Sequence, residues 1–93
     1  MTWSVYLVRT RNQALYCGIT TDVERRFAEH CAGKGAKALR GRGPLQLEWC
    51  TIVSETRSGA SKVEYAIKQL PKAHKERLVA GQVTLAQLGI SSQ

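Results

Sequence analysis

The chain has 93 residues, which is enough for one small domain and too few for two. Its hydrophobic fraction of 43% argues against intrinsic disorder, and no run approaches the roughly 18 apolar residues of a membrane span. Lys and Arg total 14 against 7 acidic residues, and the net charge of +7 favours a polyanionic partner, nucleic acid above all, although it also serves solubility. The start lacks the basic and apolar regions of a signal peptide, so we expect a cytoplasmic protein with no membrane partner.

The first two predicted elements form a hairpin. Residues 3–10 are rich in β-branched and aromatic side chains and end in a polar stretch, and residues 14–19 resume the apolar pattern. We expect two antiparallel strands joined by a short loop. This pairing would bring Tyr6 and Tyr16 near each other.

A helix is predicted next, over residues 22–32. Thr21 and Glu24 match the S/T-x-x-E capping box, in which each side chain satisfies a backbone donor at the start of a helix. Thr21 is therefore the expected N-cap.

The side chains of this helix divide into a core stripe and a flank. Val23, Phe27 and Cys31 recur every four residues and are expected to face the core. Arg26 and His30 lie one position back, also four residues apart. We expect that flank to face the sheet edge or a cleft.

Residues 33–43 are the most basic segment and contain no acid. Four glycines punctuate it, so we expect a mobile loop with at most one helical turn over 36–39. Such a loop could wrap a phosphate backbone, or it could be a solvated linker. Its cations are Lys34, Lys37, Arg40 and Arg42.

The remaining elements are one strand and two helices. Residues 45–54 after Pro44 suit a third strand, and helical spacing returns over 59–70 with Ser58 as the expected N-cap. Pro71 should open a second helix over 71–79, which Gly81 ends. A weaker helical tail follows over 83–90.

The resulting β-β-α-β-α-α order predicts an α+β fold, a three-stranded antiparallel sheet flanked by helices. We expect a single domain over 1–93, with its core over about 3–80 and a helical tail over 81–93. The three cysteines have no C-x-x-C spacing, so neither a disulfide framework nor a structural zinc site is indicated. We expect them to be reduced and mostly buried.

Several short motifs, in this order and spacing, resemble the GIY-YIG nuclease domain. The resemblance is closest to small stand-alone bacterial members and covers residues 3–80. The fragments that carry it are Val5-Tyr6, Tyr16-Cys17-Gly18-Ile19-Thr20, Arg26-Phe27-Ala28-Glu29-His30 and Glu64.

This resemblance implies phosphodiester cleavage that depends on a divalent metal, Mg²⁺ or Mn²⁺, held by the residue matching Glu64. It implies catalytic roles for the matches to the family's two tyrosines, its arginine and its histidine, and a structural role for the glycine of the second motif. Those positions are Tyr6, Tyr16, Arg26, His30 and Gly18.

The chemistry of each side chain suits such a reaction. Tyr16 is the candidate base, with a nearby cation to favour its phenolate, and Tyr6 would orient it or the water. Arg26 offers a planar fork to phosphate oxygens, and His30 could donate to a phosphate or relay a proton. Magnesium often takes only one or two protein carboxylates, so Glu64 is sufficient.

Each assignment has an ordinary structural alternative. Tyr6 and Tyr16 could simply pack in the core, and His30 could be a satisfied surface or core group. Arg26 could form a salt bridge to Asp22 or Glu29, and Glu64 could form a helix ion pair with Lys68. These alternatives stay open from the residues alone.

The chain also departs from the family pattern. The first motif reads Ser-Val-Tyr and the second Tyr-Cys-Gly, and both keep the tyrosine. Many members carry an asparagine after the metal-ligand helix, whereas the only asparagine here is Asn12. The corresponding region carries Lys72, His74 and Lys75, so phosphate contacts are expected from basic side chains there. Lys68 and Lys72 are further candidates for nucleic-acid contacts.

We therefore expect a metal-dependent nuclease acting on DNA, in branched, damaged or single-stranded form, with RNA as an open alternative. The runner-up is a non-catalytic nucleic-acid-binding module on the same fold, and a protein-interaction domain ranks third. Because no separate recognition domain is present, target choice must come from nucleic-acid shape or from a protein partner.

Overall fold

The computed structural model describes residues 1–92. Within that range no helix is long and apolar enough to cross a membrane. The element order confirms the predicted fold class, with a 3₁₀ turn at Lys37–Leu39 added between α1 and β3. The elements are β1 (Trp3–Arg9), β2 (Leu15–Thr20), α1 (Val23–Cys31), β3 (Gln46–Ser54), α2 (Arg57–Lys68) and α3 (Lys72–Val79).

The sheet has the strand order β2-β1-β3, and both pairings are antiparallel. In the hairpin register Tyr6 lies opposite Gly18, and Val8 lies opposite Tyr16. Tyr6 and Tyr16 are therefore diagonal neighbours on one face of the sheet. The predicted proximity of the two tyrosines is confirmed.

The two faces of the sheet carry separate core clusters. One face packs against α2 and the C-terminal tail, and the other packs against α1 and the segment before β3. Because side chains alternate along each strand, consecutive residues of β1 serve different clusters. The α2 face buries Val5, Leu7, Cys17, Val63, Ile67 and Ile90, and the α1 face buries Tyr6, Val8 and Leu39 with Tyr16, Val23, Phe27 and Leu45 beside them.

Both predicted helix caps are wrong by one or two positions. Asp22, not Thr21, caps α1, and its carboxylate accepts the backbone N–H of Arg25 at 3.1 Å. Thr56, not Ser58, caps α2 and accepts the N–H of Gly59 at 3.0 Å. An N-cap residue needs an extended backbone, which Asp22 and Thr56 adopt.

The predicted core stripe of α1 is also corrected, at its last member. Cys31 is exposed, whereas His30 is only 3% exposed. At about 100° per residue, His30 lies about 20° from the direction of Val23, and Cys31 about 80° from it. His30 therefore belongs to the buried line of α1, and it also lines a cavity of about 320 Å³ between α1 and segment 33–43.

The cysteines differ from expectation in a similar way. Cys17 is buried, but Cys31 and Cys50 are exposed, so the expectation of mostly buried thiols is wrong. Cys50 lies on β3, opposite Tyr6 of β1. Burial, and next the carboxylate of Glu64, raises the pKa of Cys17 to about 12.

The basic segment 33–43 is packed on the sheet at several points, in contrast to the mobile loop expected. Its single predicted helical turn is confirmed as Lys37–Leu39. Leu39 is 2% exposed and belongs to the α1-face cluster. Two hydrogen bonds add anchors, from the Ala36 N–H to His30 and from the Arg11 N–H to the carbonyl of Arg42.

The C-terminal part follows the prediction as far as Gly81. α3 starts directly after Pro71, and Gly81 ends it with φ +73°, a conformation that glycine adopts without strain. The predicted tail helix over 83–90 is wrong, since those residues form hydrogen-bonded turns that return Ile90 to the α2-face core. Gln93, the end of the predicted tail, lies outside the described residues.

Candidate active site

Four of the predicted catalytic residues converge on the α1 face of the sheet. Tyr6 and Tyr16 come from the hairpin, and Arg26 and His30 come from α1. The ring centroids of Tyr6 and Tyr16 are 6.4 Å apart, and that of His30 is 5.8 Å from Tyr6 and 5.7 Å from Tyr16. The three rings form one compact group.

Gly18 explains how the buried ring of Tyr6 fits above β2. A Cβ atom at this position would overlap the Tyr6 hydroxyl and the ring carbon that bears it. Any other residue would therefore push the phenol out of place. The glycine of the second motif gives Tyr6 its position.

Tyr6 and His30 share a buried hydrogen bond of 2.8 Å between the phenol oxygen and Nε2. The other ring nitrogen, Nδ1, accepts the backbone N–H of Ala36 at 3.3 Å. Since an accepting Nδ1 carries no hydrogen, Nε2 is protonated and donates to the phenol oxygen. The Tyr6 hydroxyl is then left with its own proton to donate to another acceptor.

The segment that fixes this imidazole was missed by sequence reasoning. A Cβ atom at Gly35 would overlap Nδ1 of His30, so the chain passes the ring closely only because residue 35 is glycine. Ala36 contributes through its backbone alone, which leaves no mark on the sequence. The sole available signal was a glycine in a loop that contains three others.

Both members of the buried pair are held in their neutral forms. Burial, and next the neighbouring Tyr16, raises the pKa of Tyr6 to about 12, although the guanidinium of Arg26 opposes the shift. Burial, and next Arg26, lowers the pKa of His30, while Glu29 opposes. Near neutral pH the pair therefore consists of a phenol and a neutral imidazole.

Arg26 forms a salt bridge and still has N–H donors available for a ligand. One of its terminal nitrogens donates to Glu29 at 3.1 Å, so the salt bridge considered from sequence does form. A guanidinium has five N–H donors, and this contact uses few of them. The side chain is partly exposed and beside Tyr6, where it can contact an anion.

Tyr16 is the more accessible of the two phenols. It is half-buried, whereas Tyr6 is 2% exposed. Tyr16 also lines a surface groove of about 280 Å³ together with Leu39 and Arg42. A substrate in that groove would reach Tyr16 before Tyr6.

Glu64, the predicted metal ligand, lies on α2 and so on the opposite side of the sheet from α1. Its carboxylate is 3.3 Å from the Lys68 amine, which is the helix ion pair considered from sequence. It also lies close enough to Cys17 to raise the pKa of that thiol. Within residues 1–92, no described contact joins Glu64 to the four residues on the α1 face.

The side chains present fit only a lightly held metal ion. Within the described part of the chain no group of three or more His, Cys, Asp or Glu side chains could hold one. A single carboxylate oxygen suits magnesium, which keeps several waters and takes further ligands from substrate phosphates. The donor chemistry of Glu64 is compatible with that arrangement.

The predicted nucleic-acid contacts divide into two groups. Lys68 and Lys72 form helix ion pairs, with Glu64 at 3.3 Å and Glu76 at 3.8 Å. The cations of segment 33–43 are exposed, and within residues 1–92 no acidic partner is described for them; they are Lys34, Lys37, Arg40 and Arg42.

The chain is similar to a known protein family and to several bacterial proteins. A family model described as the GIY-YIG catalytic domain matches residues 2–77. A UPF0213 protein of Vibrio cholerae serotype O1 is 60% identical over 98% of this chain and 90% of its own length, and UPF0213 protein YhbQ of Escherichia coli O1:K1 is 54% identical over the same shares.

Two solved solution structures are also similar. The UPF0213 protein from Bacillus halodurans is 40% identical with a TM-score of 0.54, covering 86% of this chain and 84% of that one. A protein from E. faecalis is 34% identical with a TM-score of 0.58, covering 87% and 85%.

Proposed function

The chain belongs to the GIY-YIG family, a nuclease superfamily, and on that premise we propose that it hydrolyses phosphodiester bonds in DNA with a divalent metal ion. The observation that carries the proposal is the convergence of Tyr6, Tyr16, Arg26 and His30 on one face of the sheet. These side chains offer a base, a cation and fixed proton donors in one place. The net charge of +7 supports a polyanionic substrate.

Tyr16 is the proposed base, since it lines the groove and Tyr6 does not. As a phenolate, which the nearby Arg26 cation would favour, it would take a proton from the attacking water and become the neutral phenol. The neighbouring phenol, Tyr6, has a pKa raised to about 12 and therefore keeps its proton at neutral pH. It would act as a hydrogen-bond donor that orients Tyr16 or the water. Nε2–H of His30 donates to the Tyr6 hydroxyl and holds the phenol in position. In this proposal His30 acts through Tyr6 and does not contact the phosphate.

Arg26 would bind the phosphoryl oxygens on which negative charge grows. Its remaining N–H donors form a planar fork that matches two oxygens, and Glu29 holds one arm of that fork in place. Glu64 would hold Mg²⁺ or Mn²⁺. Glu64 lies near Cys17, the residue next to Tyr16 on the edge strand β2, and an ion held there would supply Lewis-acid charge stabilisation for a bound phosphodiester.

A cleavage assay with matched variants tests the proposal. Labelled single-stranded, duplex, nicked and branched DNA, and RNA, are incubated with Mg²⁺ or Mn²⁺. The informative variants are Tyr16→Phe and Glu64→Ala. Their controls are Tyr65→Phe, a change at a tyrosine that is 68% exposed, and Glu55→Ala, at an exposed carboxylate.

We expect the wild type and both controls to cleave at least one DNA form and both informative variants to lose about 10²-fold or more. Cleavage that persists equally in all five proteins indicates a contaminating nuclease. That result, or no cleavage by the wild type, contradicts the proposal.

A second candidate is a nucleic-acid-binding module without catalysis. The observation that favours it is the engagement of Glu64 by Lys68, with no cluster of metal ligands in the described residues. It predicts DNA binding that weakens steeply with salt and is unchanged by Glu64→Ala. The same panel, run without cleavage as a binding assay, separates the two.

A further inference from the structure

A second group of polar side chains lies at the tip of the β1–β2 hairpin. Arg11 and Asn12 come from the hairpin turn, and Arg40 and Arg42 flank Gly41 in the basic segment. Together they line a cavity of about 260 Å³. Sequence reasoning had no cause to join Arg11 to the other two arginines, because about thirty residues separate them along the chain.

The backbone holds this cavity together. The N–H of Arg11 donates to the carbonyl of Arg42 at 3.0 Å, which ties the hairpin turn to the basic segment. The Thr10 hydroxyl donates to the side chain of Asn12 and accepts the N–H of Ala14 at 3.2 Å. Gly41 has φ +71°, so the chain reverses between Arg40 and Arg42 at a residue that tolerates this conformation.

The charges of this cavity are uncompensated, unlike those of other arginines in the chain. Arg9 is held by Glu48 and Glu76, and Arg26 by Glu29. Within residues 1–92 no carboxylate within ion-pair distance is described for Arg11, Arg40 or Arg42. Three guanidinium groups around one cavity repel each other, and an anion with several oxygens relieves that repulsion.

The cavity adjoins the groove that contains Tyr16, because Arg42 lines both. That groove of about 280 Å³ is lined by Tyr16, Leu39 and Arg42, and Arg42 also lines the arginine cavity. A chain of phosphates whose scissile group lies at Tyr16 would therefore lead directly to the arginines. Exposed Ala14 and Ala38 line the same groove.

We propose that Arg11, Asn12, Arg40 and Arg42 form a second subsite, which binds a backbone phosphodiester of the nucleic-acid strand that lies against Tyr16. This inference rests on the proposed function for its ligand, but it does not require cleavage. It gives Arg11 and Asn12 a binding role and separates Arg40 and Arg42 from Lys34 and Lys37, which do not line the cavity.

Binding to a labelled single-stranded DNA oligonucleotide tests the subsite, measured by fluorescence anisotropy in chelator over a range of salt concentrations. The test variant is Arg11→Gln with Arg40→Gln. The matched control is Lys62→Gln with Arg77→Gln, which removes the same charge from exposed positions on α2 and α3. Thermal unfolding of each protein confirms that it is folded.

We expect the arginine pair to bind about tenfold more weakly or worse, with a slope of log Kd against log salt reduced by about 0.7, since the subsite binds one phosphodiester and each single-strand phosphate contact contributes about 0.7. The control pair should change the slope by much less. A third variant, Arg11→Lys with Arg40→Lys, keeps the charge and should retain most of the salt dependence of binding. It should lose affinity, because lysine cannot bind two phosphate oxygens with a planar pair of N–H donors.

Equal losses in the test and control pairs would overturn the subsite, as would a wild type that does not bind the oligonucleotide. Inorganic phosphate, titrated while the amide resonances of Arg11 and Gly41 are followed, forms another arm. Saturation by phosphate at concentrations no higher than the oligonucleotide requires would also overturn it, because the cavity would then be a free-phosphate site.

Cleavage of the same oligonucleotide, measured in parallel with metal, separates this inference from the proposed function. Selective loss of binding in the arginine pair, with no wild-type cleavage of this oligonucleotide or of any other DNA form in the panel, supports the subsite and refutes hydrolysis. Wild-type cleavage without selective loss of binding supports hydrolysis and refutes the subsite.

Discussion

The two faces of the sheet use the same strands for different purposes. On the α2 face, Val5 and Leu7 pack with Ile67 in a cluster that is almost entirely apolar. Tyr6 lies between Val5 and Leu7 in the sequence, but its side chain is on the α1 face, where it contacts His30 and Tyr16. Alternation along β1 thus places stability on one side and polar chemistry on the other.

This division teaches which substitutions should separate folding from activity. A buried apolar residue of the α2 face should affect the free energy of unfolding alone, and an exposed polar residue of the α1 face should affect activity alone. Tyr6 and His30 are buried as deeply as the apolar core, so they should affect both.

Ile67→Ala should produce the largest change, on the α2 face. Ile67 is fully buried, and truncating it leaves a cavity among apolar neighbours, so we expect the free energy of unfolding to fall by about 2–5 kcal/mol. Urea denaturation measures this. Ile52→Ala, at a residue 65% exposed on β3, should change it far less. A loss of DNA cleavage per folded molecule in Ile67→Ala would break the proposed separation of the faces.

Arg26→Lys should produce the complementary result on the α1 face. Lysine keeps the charge but not the planar fork, so we expect cleavage to fall by about 10²–10³-fold while stability stays within about 0.5 kcal/mol. Single-turnover cleavage and thermal unfolding measure the two effects. Arg25→Lys, the exposed neighbour, is the matched control. Similar rates for the two variants would remove Arg26 from the site.

Tyr6→Phe should affect both properties at once. The substitution leaves Nε2–H of His30 buried without its acceptor, so we expect a loss of about 1–3 kcal/mol in the free energy of unfolding together with slower cleavage. Tyr65→Phe provides the baseline for removing an exposed hydroxyl. An unchanged stability would show that the hydrogen bond does not contribute to the fold.

The pH dependence of stability should show the smallest effect. Because burial and Arg26 hold the pKa of His30 below 6.5, protonation favours the unfolded chain, and stability present above about pH 6.5 falls as the pH drops toward the folded value. Tyr6 acts in the opposite direction. Its contribution is complete below about pH 10 and is lost as the pH rises through about 12.

Urea denaturation at several pH values checks the histidine effect. His30→Gln should flatten the decline just below pH 6.5, and His74→Gln, which removes the other histidine, should leave it intact. Glu76, whose pKa Arg9 lowers, causes a further decline below about pH 4.5 in all three proteins. Equal slopes near pH 6 in the wild type and His30→Gln would contradict the assignment.

The order of strands and helices was predicted well because short stretches of sequence determine it. The hairpin and the element order follow from apolar periodicity and from Gly and Pro at element ends. The caps at Asp22 and Thr56 were missed because neighbouring residues could serve equally well by type. The tail over 83–90 was missed because returning Ile90 to the core outweighs a weak helical preference.

The site was predictable only where a side chain carried the signal. Tyr6, Tyr16, Arg26 and His30 were found through motif spacing, and the structure brings them together. The contribution of Ala36 is a backbone N–H and could not be read from residue type. The joining of Arg11 to Arg42 depends on a tertiary hydrogen bond that no local pattern encodes.

The pairing of Tyr6 with Gly18 also guards the protein against misassembly. If β2 slipped by one residue along β1, Tyr6 would face Cys17 or Ile19, and every apolar side chain of β2 would change faces. The phenol would then meet a side chain where it now has space, and the α2 face would lose Cys17. A shift in the hairpin register would therefore displace the tyrosines and also disrupt the packing of the core. We expect that only molecules with the tyrosines in the correct register fold stably.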